Sequence, residues 1–284
     1  MASFKQKEIT STSSVIAQQK SKPIIYVEGE SDKRIFENYW FVDVLGKVSF
    51  SITPDFQGCS AVVKAVASDR LTGISAFGLV DRDKLMADEK WELLRQTDDA
   101  LFDSEWPYPD IKITRRWELE SYLIEPEALE SYLAPAQGGR APRPLAEVEG
   151  ELLSHADALI PFAALNQAMH KHRIKAPKDG YTKLDSRAII LERIKDEKLV
   201  SHPHISGDYL NNLPLVDAFS GVGALSPRQR LYGLLRAVNG KAMLDRVAKA
   251  ANLKDDITYQ IAKEMKQLNK VPTELDAFVR GCCT

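Results

Sequence analysis

The sequence predicts an α/β fold: a mostly parallel sheet flanked by helices, with a mainly α-helical C-terminal portion. Three observations carry this. Short apolar runs rich in β-branched residues alternate with helix-period segments over residues 22–133. A stretch rich in Pro, Gly and Ala interrupts the pattern at 134–150. Beyond it, most segments show helical periodicity.

The elements follow in chain order. Residues 1–21 are rich in Ser, Thr, Gln and Lys and read as a mobile N-terminal segment. Residues 23–28 form a strand, with Ile24, Ile25, Tyr26 and Val27 as its apolar run. Ser31 caps a helix expected to reach Val42, with Ile35, Phe36, Tyr39 and Trp40 at helical spacing. Val48–Thr53 alternates as a second strand. Ser60–Leu71 carries Val62, Val63 and Val66 on one helical face. Ala76–Val80 is a third strand, Asp88–Gln96 a helix and Asp110–Thr114 a fourth strand. The order β-α-β-α-β-(α)-β calls for parallel strands joined by crossovers. APAQGGRAPRPLAEVEG (134–150) reads as a loop or linker. Within 151–284, helices are expected over 151–172, 184–198, 227–239, 241–252, 256–269 and 273–280.

Composition narrows the function classes. Of 284 residues, 44% are apolar and 27% charged, which suits a globular chain with a substantial core. No run of about 18 apolar residues is present, so no membrane span is expected. The N-terminus lacks the apolar stretch of a secretory signal. Cys59, Cys282 and Cys283 make no disulfide framework and no CxxC pair, and a reducing, cytoplasmic location is the simplest reading. The net charge of −2 conceals an asymmetry. Asp81–Leu133 holds 15 acidic against 7 basic residues, whereas Ser226–Lys254 holds 7 basic against one acidic. An acidic half suits hard cations and a basic half suits a polyanion; each run alone reads equally as a solvated helix face.

The acids gather at strand ends. PIIYVEGESDKRIF (23–36) closes its strand with Glu28 and Gly29, and Glu30 and Asp32 follow. FGLVDRD (77–83) closes the third strand with Asp81-Arg82-Asp83. Ligands of parallel α/β sheets bind at the carboxyl ends of strands. Gly29 permits a tight turn and close backbone approach. Asp32, four residues after Glu28, can turn toward the same edge. Asp81 and Asp83 either face one point or serve different ions. Carboxylates so crowded repel, and a divalent cation is the simplest compensation. The donor set is all oxygen, favouring Mg²⁺ or Mn²⁺ over Zn²⁺. A further block, TRRWELESYLIEPE (114–127), places Glu118 and Glu120 two residues apart. Taken singly, each acid reads as a solvated loop residue; their recurrence after two strands points to a site.

At these residues the chain resembles a family. YVEGESD, GLVDRD and WELESYL resemble the three acidic motifs of the Toprim domain, in the version used by OLD-like nucleases. The likeness extends to stand-alone bacterial Toprim proteins and to the Toprim effector subunit of PARIS antiphage systems. NGKAML (239–244) resembles an Asn-Gly-Lys element that such proteins carry near their C-terminus. The likeness covers about 22–130 plus this element, with 239–252 returning to a catalytic site in the Toprim domain 22–133. It implies that Glu28 is the principal acid, a metal ligand or proton shuttle, and that Asp32 completes the metal pair. Asp81 would bridge two ions and Asp83 serve the second. Glu120 matches the third motif better than Glu118, because it leads directly into Ser-Tyr-Leu. Lys241 would stabilise charge on a pentacoordinate phosphate.

The resemblance also implies an activity. A Mg²⁺- or Mn²⁺-dependent endonuclease with two ions is expected, a toxic effector in antiphage defence that favours RNA, and tRNA in particular, over DNA. The alternative is a non-catalytic Toprim module docking on an ATPase or nucleic acid. Topoisomerase, primase and recombination-mediator roles need a tyrosine-bearing gate domain or a zinc module that this sequence lacks. No Walker motif occurs, so the ABC-type ATPase that controls such effectors would be a separate partner, and the free enzyme a homodimer. His170-Lys171-His172 and His202-Pro203-His204 read as basic surface or RNA-facing loops rather than metal ligands. Gly221-Val222-Gly223 reads as a turn, since the lysine of a phosphate loop is missing.

Overall fold

A computed structural model describes residues 22–53, 58–105, 108–175, 177, 184–221, 223, 225–253 and 256–283. The expected mobile segment 1–21 lies outside the described residues. The fold is α/β, with a four-stranded, all-parallel sheet flanked by helices and a helical C-terminal part. Its strands are β1 (Ile24–Tyr26), β2 (Ser49–Ser51), β3 (Ala76–Val80) and β4 (Ile111–Ile113), in the spatial order β2-β1-β3-β4. Tyr26 pairs with Ser51 on one side and Gly78 on the other, and Val80 pairs with Ile113. All four strands fall inside the stretches their apolar runs predict. The chain leaves β1 for β2 and returns past it to β3, so the strand order reverses between β1 and β3, the type of place where open α/β sheets bind ligands.

The chain forms two compact units. Among the described residues, the first comprises those within 22–80, 108–113 and 271–283 and holds the sheet. Its core is aromatic: Phe36, Trp40, Phe41 and Phe50 are buried together, with Phe36 centred 5.3 Å from Phe50 and 5.4 Å from Phe41. Helix α1 (Glu30–Ile35) continues into a π turn over Phe36–Trp40, so the regular helix is shorter than the expected run to Val42. Its N-cap is Gly29, not Ser31. Asp32 explains the difference: its carboxylate accepts from the Gly29 backbone N–H at 3.2 Å and closes the helix start. Helix α2 (Cys59–Leu71) packs on β3 through Val62 and Val66. Gly78 makes this possible, because a Cβ there would stand 2.8 Å from Val62 Cγ1. The terminal helix Thr273–Gly281 also belongs to this unit: Phe278 meets Phe77 edge-on, and Arg280 pairs with Asp43.

The second unit comprises Asp81–Trp106 and Thr114–Lys270. Two of its helices carry the site, α3 (Leu119–Tyr122) and, further on, a late helix described below. Its centre is α4 (Leu145–Lys171), 27 residues long and buried along most of its length. The helices Arg187–Arg193, Ser206–Asp217 and Pro227–Leu234 pack around it. The stretch 134–150, expected as a loop or linker, is helical at both ends, to Ala136 and from Leu145. Between them the chain is tied down: Arg140 and Arg143 both hold the buried Glu130. The helix Ser206–Asp217 has no counterpart in the expected set.

Candidate functional site

Asp81 follows Val80, the last residue of β3, and Asp83 lies two positions on, before the short helix Lys84–Ala87. Arg82 between them is fully buried. Its guanidinium donates to the carbonyls of Leu94 (2.9 Å), Gln96 (2.7 Å) and Arg115 (2.6 Å). It also lies 4.3 Å from the centre of the Phe102 ring. One buried side chain thus fixes the backbone that carries both aspartates. After β4 the chain reaches Glu118 and α3. The Leu119 N–H donates to Asp81 Oδ1 at 3.1 Å, tying the start of α3 to the aspartate that follows β3.

The Asn-Gly-Lys element opens helix α5 (Gly240–Ala250), and each residue has a distinct role. Asn239 caps the helix, its Oδ1 accepting from Ala242 N–H at 2.7 Å. Gly240 has no room for a side chain: a Cβ would stand 2.6 Å from Ser121 Oγ and 2.7 Å from the Glu120 carbonyl carbon. The helix start therefore meets the Glu120–Ser121 backbone directly. Lys241 then gives Glu118 two donors. Its backbone N–H reaches Oε1 at 2.8 Å and its ammonium reaches Oε2 at 3.2 Å. The same ammonium stands 3.4 Å from Glu120 Oε1.

Electrostatics follow from this packing. Burial raises the Glu118 carboxyl above the ordinary carboxylate range, against the pull of Lys241. Glu120 is raised by burial and then by the neighbouring Glu118 charge. Asp83 is raised by burial among protein atoms, opposed by Lys241, His170 and Lys84. Burial works against the Lys241 ammonium, yet Glu118, Glu120 and Asp81 outweigh it and lift Lys241 above an ordinary lysine. A groove of about 550 Å³ opens beside these groups, lined by Glu120, Lys241, Leu244, Asp245, Lys249 and Ile257 among others.

The structure thus gathers Asp81, Asp83, Glu118, Glu120 and Lys241 within the second unit. Both glutamates contact Lys241, so the choice between them is not one of presence or absence. Glu28 and Asp32 belong to the first unit. Glu28 lies two residues beyond β1, and its carbonyl accepts from Gly58 N–H at 3.3 Å. Asp32 closes the start of α1, as described. Sequence reasoning missed the anchoring role of Arg82 and the contact made by Gly240. Only the glycine beside a helix-start lysine offered a signal for the second. The two histidine pairs do come together: His172 Nε2 is 2.7 Å from Asp208 Oδ2, and its ring is centred 5.2 Å from that of His204.

A hard divalent cation suits the chemistry of the acidic cluster. Its donors are all carboxylate oxygens, the type that hard divalent cations take. Among the described residues, no three such donors converge as one ion requires. In the arrangement seen, the Lys241 ammonium contacts the carboxylates of both Glu118 and Glu120. The fold and site together define an α/β protein in which buried carboxylates meet the ammonium of an exposed lysine. Compared with family models, curated proteins and solved structures, the chain matches none. Among the described residues, no helix is long and apolar enough to cross a membrane.

Proposed function

We propose that the chain is a metal-dependent nuclease of the Toprim type, hydrolysing phosphodiester bonds. The observation that supports this best is the concentration of Asp81, Asp83, Glu118 and Glu120 around the single ammonium of Lys241. Mg²⁺ or Mn²⁺, as two ions, would supply neutralisation of phosphate charge and an activated water. The chain's own residues orient and hold. Asp81, Asp83 and Glu120 present oxygens, and Arg82 keeps the two aspartates in place. Lys241 offers a positive charge to phosphate oxygens as negative charge builds on them. Glu28 and Asp32 are assigned as metal ligands on the family resemblance alone. The same resemblance supports RNA, tRNA in particular, as substrate, a separate ABC-type ATPase as the controlling partner, and antiphage defence as the setting. The basic residues of 226–254 would meet the nucleic acid backbone by charge.

A second reading is a non-catalytic binding module. It is favoured by one observation: Lys241 already closes the glutamates, with no three donors converging among the described residues. One assay separates the two. Purified wild type, Asp81→Asn and Glu120→Gln are incubated with end-labelled RNA and DNA in Mg²⁺ or Mn²⁺. Cleavage by wild type alone supports the nuclease. Equal cleavage by all three proteins places the active site elsewhere. Partner or nucleic acid binding with no cleavage, with or without the ATPase, favours the binding module.

A further inference from the structure

The end of α4 carries a cluster of cations with no part in the proposed cleavage chemistry. We propose that the edge formed by Lys171, His172, Arg173 and Lys175 with His202 and His204 holds a single-stranded nucleic acid by its phosphate backbone and leads it toward Asp83. The nature of this ligand rests on the nuclease reading above.

Two separate segments build the edge. The run 170–175, HKHRIK, contains no acid. The turn Pro203–Ile205 lies beside it: the His172 and His204 rings are centred 5.2 Å apart, and those of His202 and His204 6.0 Å apart. Asp208 faces the cluster, and both Lys171 and His172 reach it, at 2.6 and 2.7 Å. Arg173 and Lys175 are exposed, and neither makes an ion pair among the described residues. Arg173 also takes a φ of 57° just past the end of α4, a place that favours glycine. The position therefore carries its charge at a cost to the backbone.

The edge leads to the acidic centre. His170, the penultimate residue of α4, is near enough to Asp83 for its charge to favour the carboxylate form. Its ring is centred 6.2 Å from that of the half-buried Trp91. By contrast, most cations of 226–254 are already engaged: Arg228 with Glu127 and Glu149, Arg236 with Asp99, Lys241 with Glu118 and Lys249 with Asp245. Arg173 and Lys175 can meet phosphate without first breaking an ion pair, so the edge at α4 offers the stronger contact.

The test is RNA binding by the full chain, read as the fluorescence anisotropy of a fluorescein-labelled single-stranded RNA in EDTA over a range of salt concentrations. The double variant Arg173→Gly, Lys175→Gln is expected to bind about tenfold more weakly than wild type at low salt. Its plot of log affinity against log salt should be shallower by about 1.4, since each phosphate contact on a single strand contributes about 0.7. Arg173→Gly relieves the backbone, so circular dichroism melts should show no loss of stability. Arg173→Gln, Lys175→Gln serves if the first double variant does not fold. Lys263→Ala, Lys266→Ala removes the same charge from the helix Thr258–Gln267, which packs on Pro126–Ala136, and should bind as wild type does. Equal weakening by that control would mean diffuse attraction to net charge, and the inference fails. It fails as well if wild type binds no RNA or if the folded edge variants bind as tightly as wild type; cleavage in Mn²⁺ then decides the nuclease reading on its own. If the edge variants bind more weakly and wild type cleaves nothing with or without the ATPase, the surface stands as that of a binding module and the nuclease reading fails.

Discussion

Gly240 lies so close to Ser121 that a Cβ at Gly240 would collide with the Ser121 backbone nitrogen. This contact sets α5 on α3 and brings Lys241 to Glu118. Gly240→Ala should therefore push the two helices apart and cost about 2–4 kcal/mol of stability. Gly150→Ala is the control, since nothing lies within 4 Å of a Cβ there. Gly150 sits inside α4, so its replacement should be neutral or stabilise by up to about 1 kcal/mol through helix propensity. Urea midpoints of the two variants check the contrast. Similar midpoints would mean that the helix junction adjusts freely.

Glu118 and Glu120 are expected to separate fold from function. Glu118 anchors α5 by accepting the Lys241 N–H, so Glu118→Ala should cost about 2 kcal/mol and Glu118→Gln less, because the amide oxygen still accepts. Glu120 is a buried acid beside another, and its charge is already disfavoured by burial and by Glu118. Glu120→Gln should therefore be neutral or stabilising by about 1 kcal/mol while removing the proposed cleavage. Denaturation midpoints and the cleavage assay, read together, check this. A Glu120→Gln protein that is markedly less stable would make Glu120 a structural residue.

The sheet was legible because its signal is local. β1 and β3 are short apolar runs, and their ends are marked by Glu28 and Asp81. Asp32 shows where local reading stops. Its carboxylate displaces Ser31 as the feature that starts α1, a competition between two short polar side chains that sequence alone does not rank. The stretch 134–150 reads as a linker from its prolines and glycines, but the pairing of Glu130 with Arg140 and Arg143 orders it. Ser206–Asp217 escapes propensity because it contains Gly207, two asparagines and Pro214. Tyr209 and Val216, buried among the helices around α4, override that weakness. The acids of the site were visible as types. Their partner was not: Lys241 is 123 residues from Glu118, and no periodicity reports such a contact.

Gly78 should be intolerant of a side chain for a reason that can be relieved. Its missing Cβ leaves room for Val62 and Val66 of α2 against β3. Gly78→Ala is expected to cost about 1–3 kcal/mol through overpacking. Val62→Ala opens space at that point, so the double variant should lose less than the sum of the two single ones. Thermal denaturation of all four proteins measures the coupling. Strict additivity would mean that the helix shifts as a body and that the close contact with Val62 does not set the spacing.

Glu130 should give the folded state a defined acid sensitivity. It is buried, and Arg140 donates to its Oε2 at 3.0 Å, while the Arg143 backbone N–H donates to Oε1 at 2.7 Å. The Arg140 hydrogen bond, opposed by burial and reinforced by Arg143, lowers its carboxyl from 4.5 to about 2. The folded value lies below the unfolded one, so folding favours the charged form. The resulting stability is fully present above about pH 4.5 and is lost as pH falls toward 2. Both arginines are partly exposed, so solvent screening limits the contribution to about 2 kcal/mol. Glu130→Gln should therefore be less stable than wild type by about that amount at pH 7, with the gap closing between pH 4.5 and 2. Urea titrations of both proteins across that range test it. A gap that stays constant with pH would show that Glu130 holds the loop by shape and neutral hydrogen bonds, and that its charge contributes nothing.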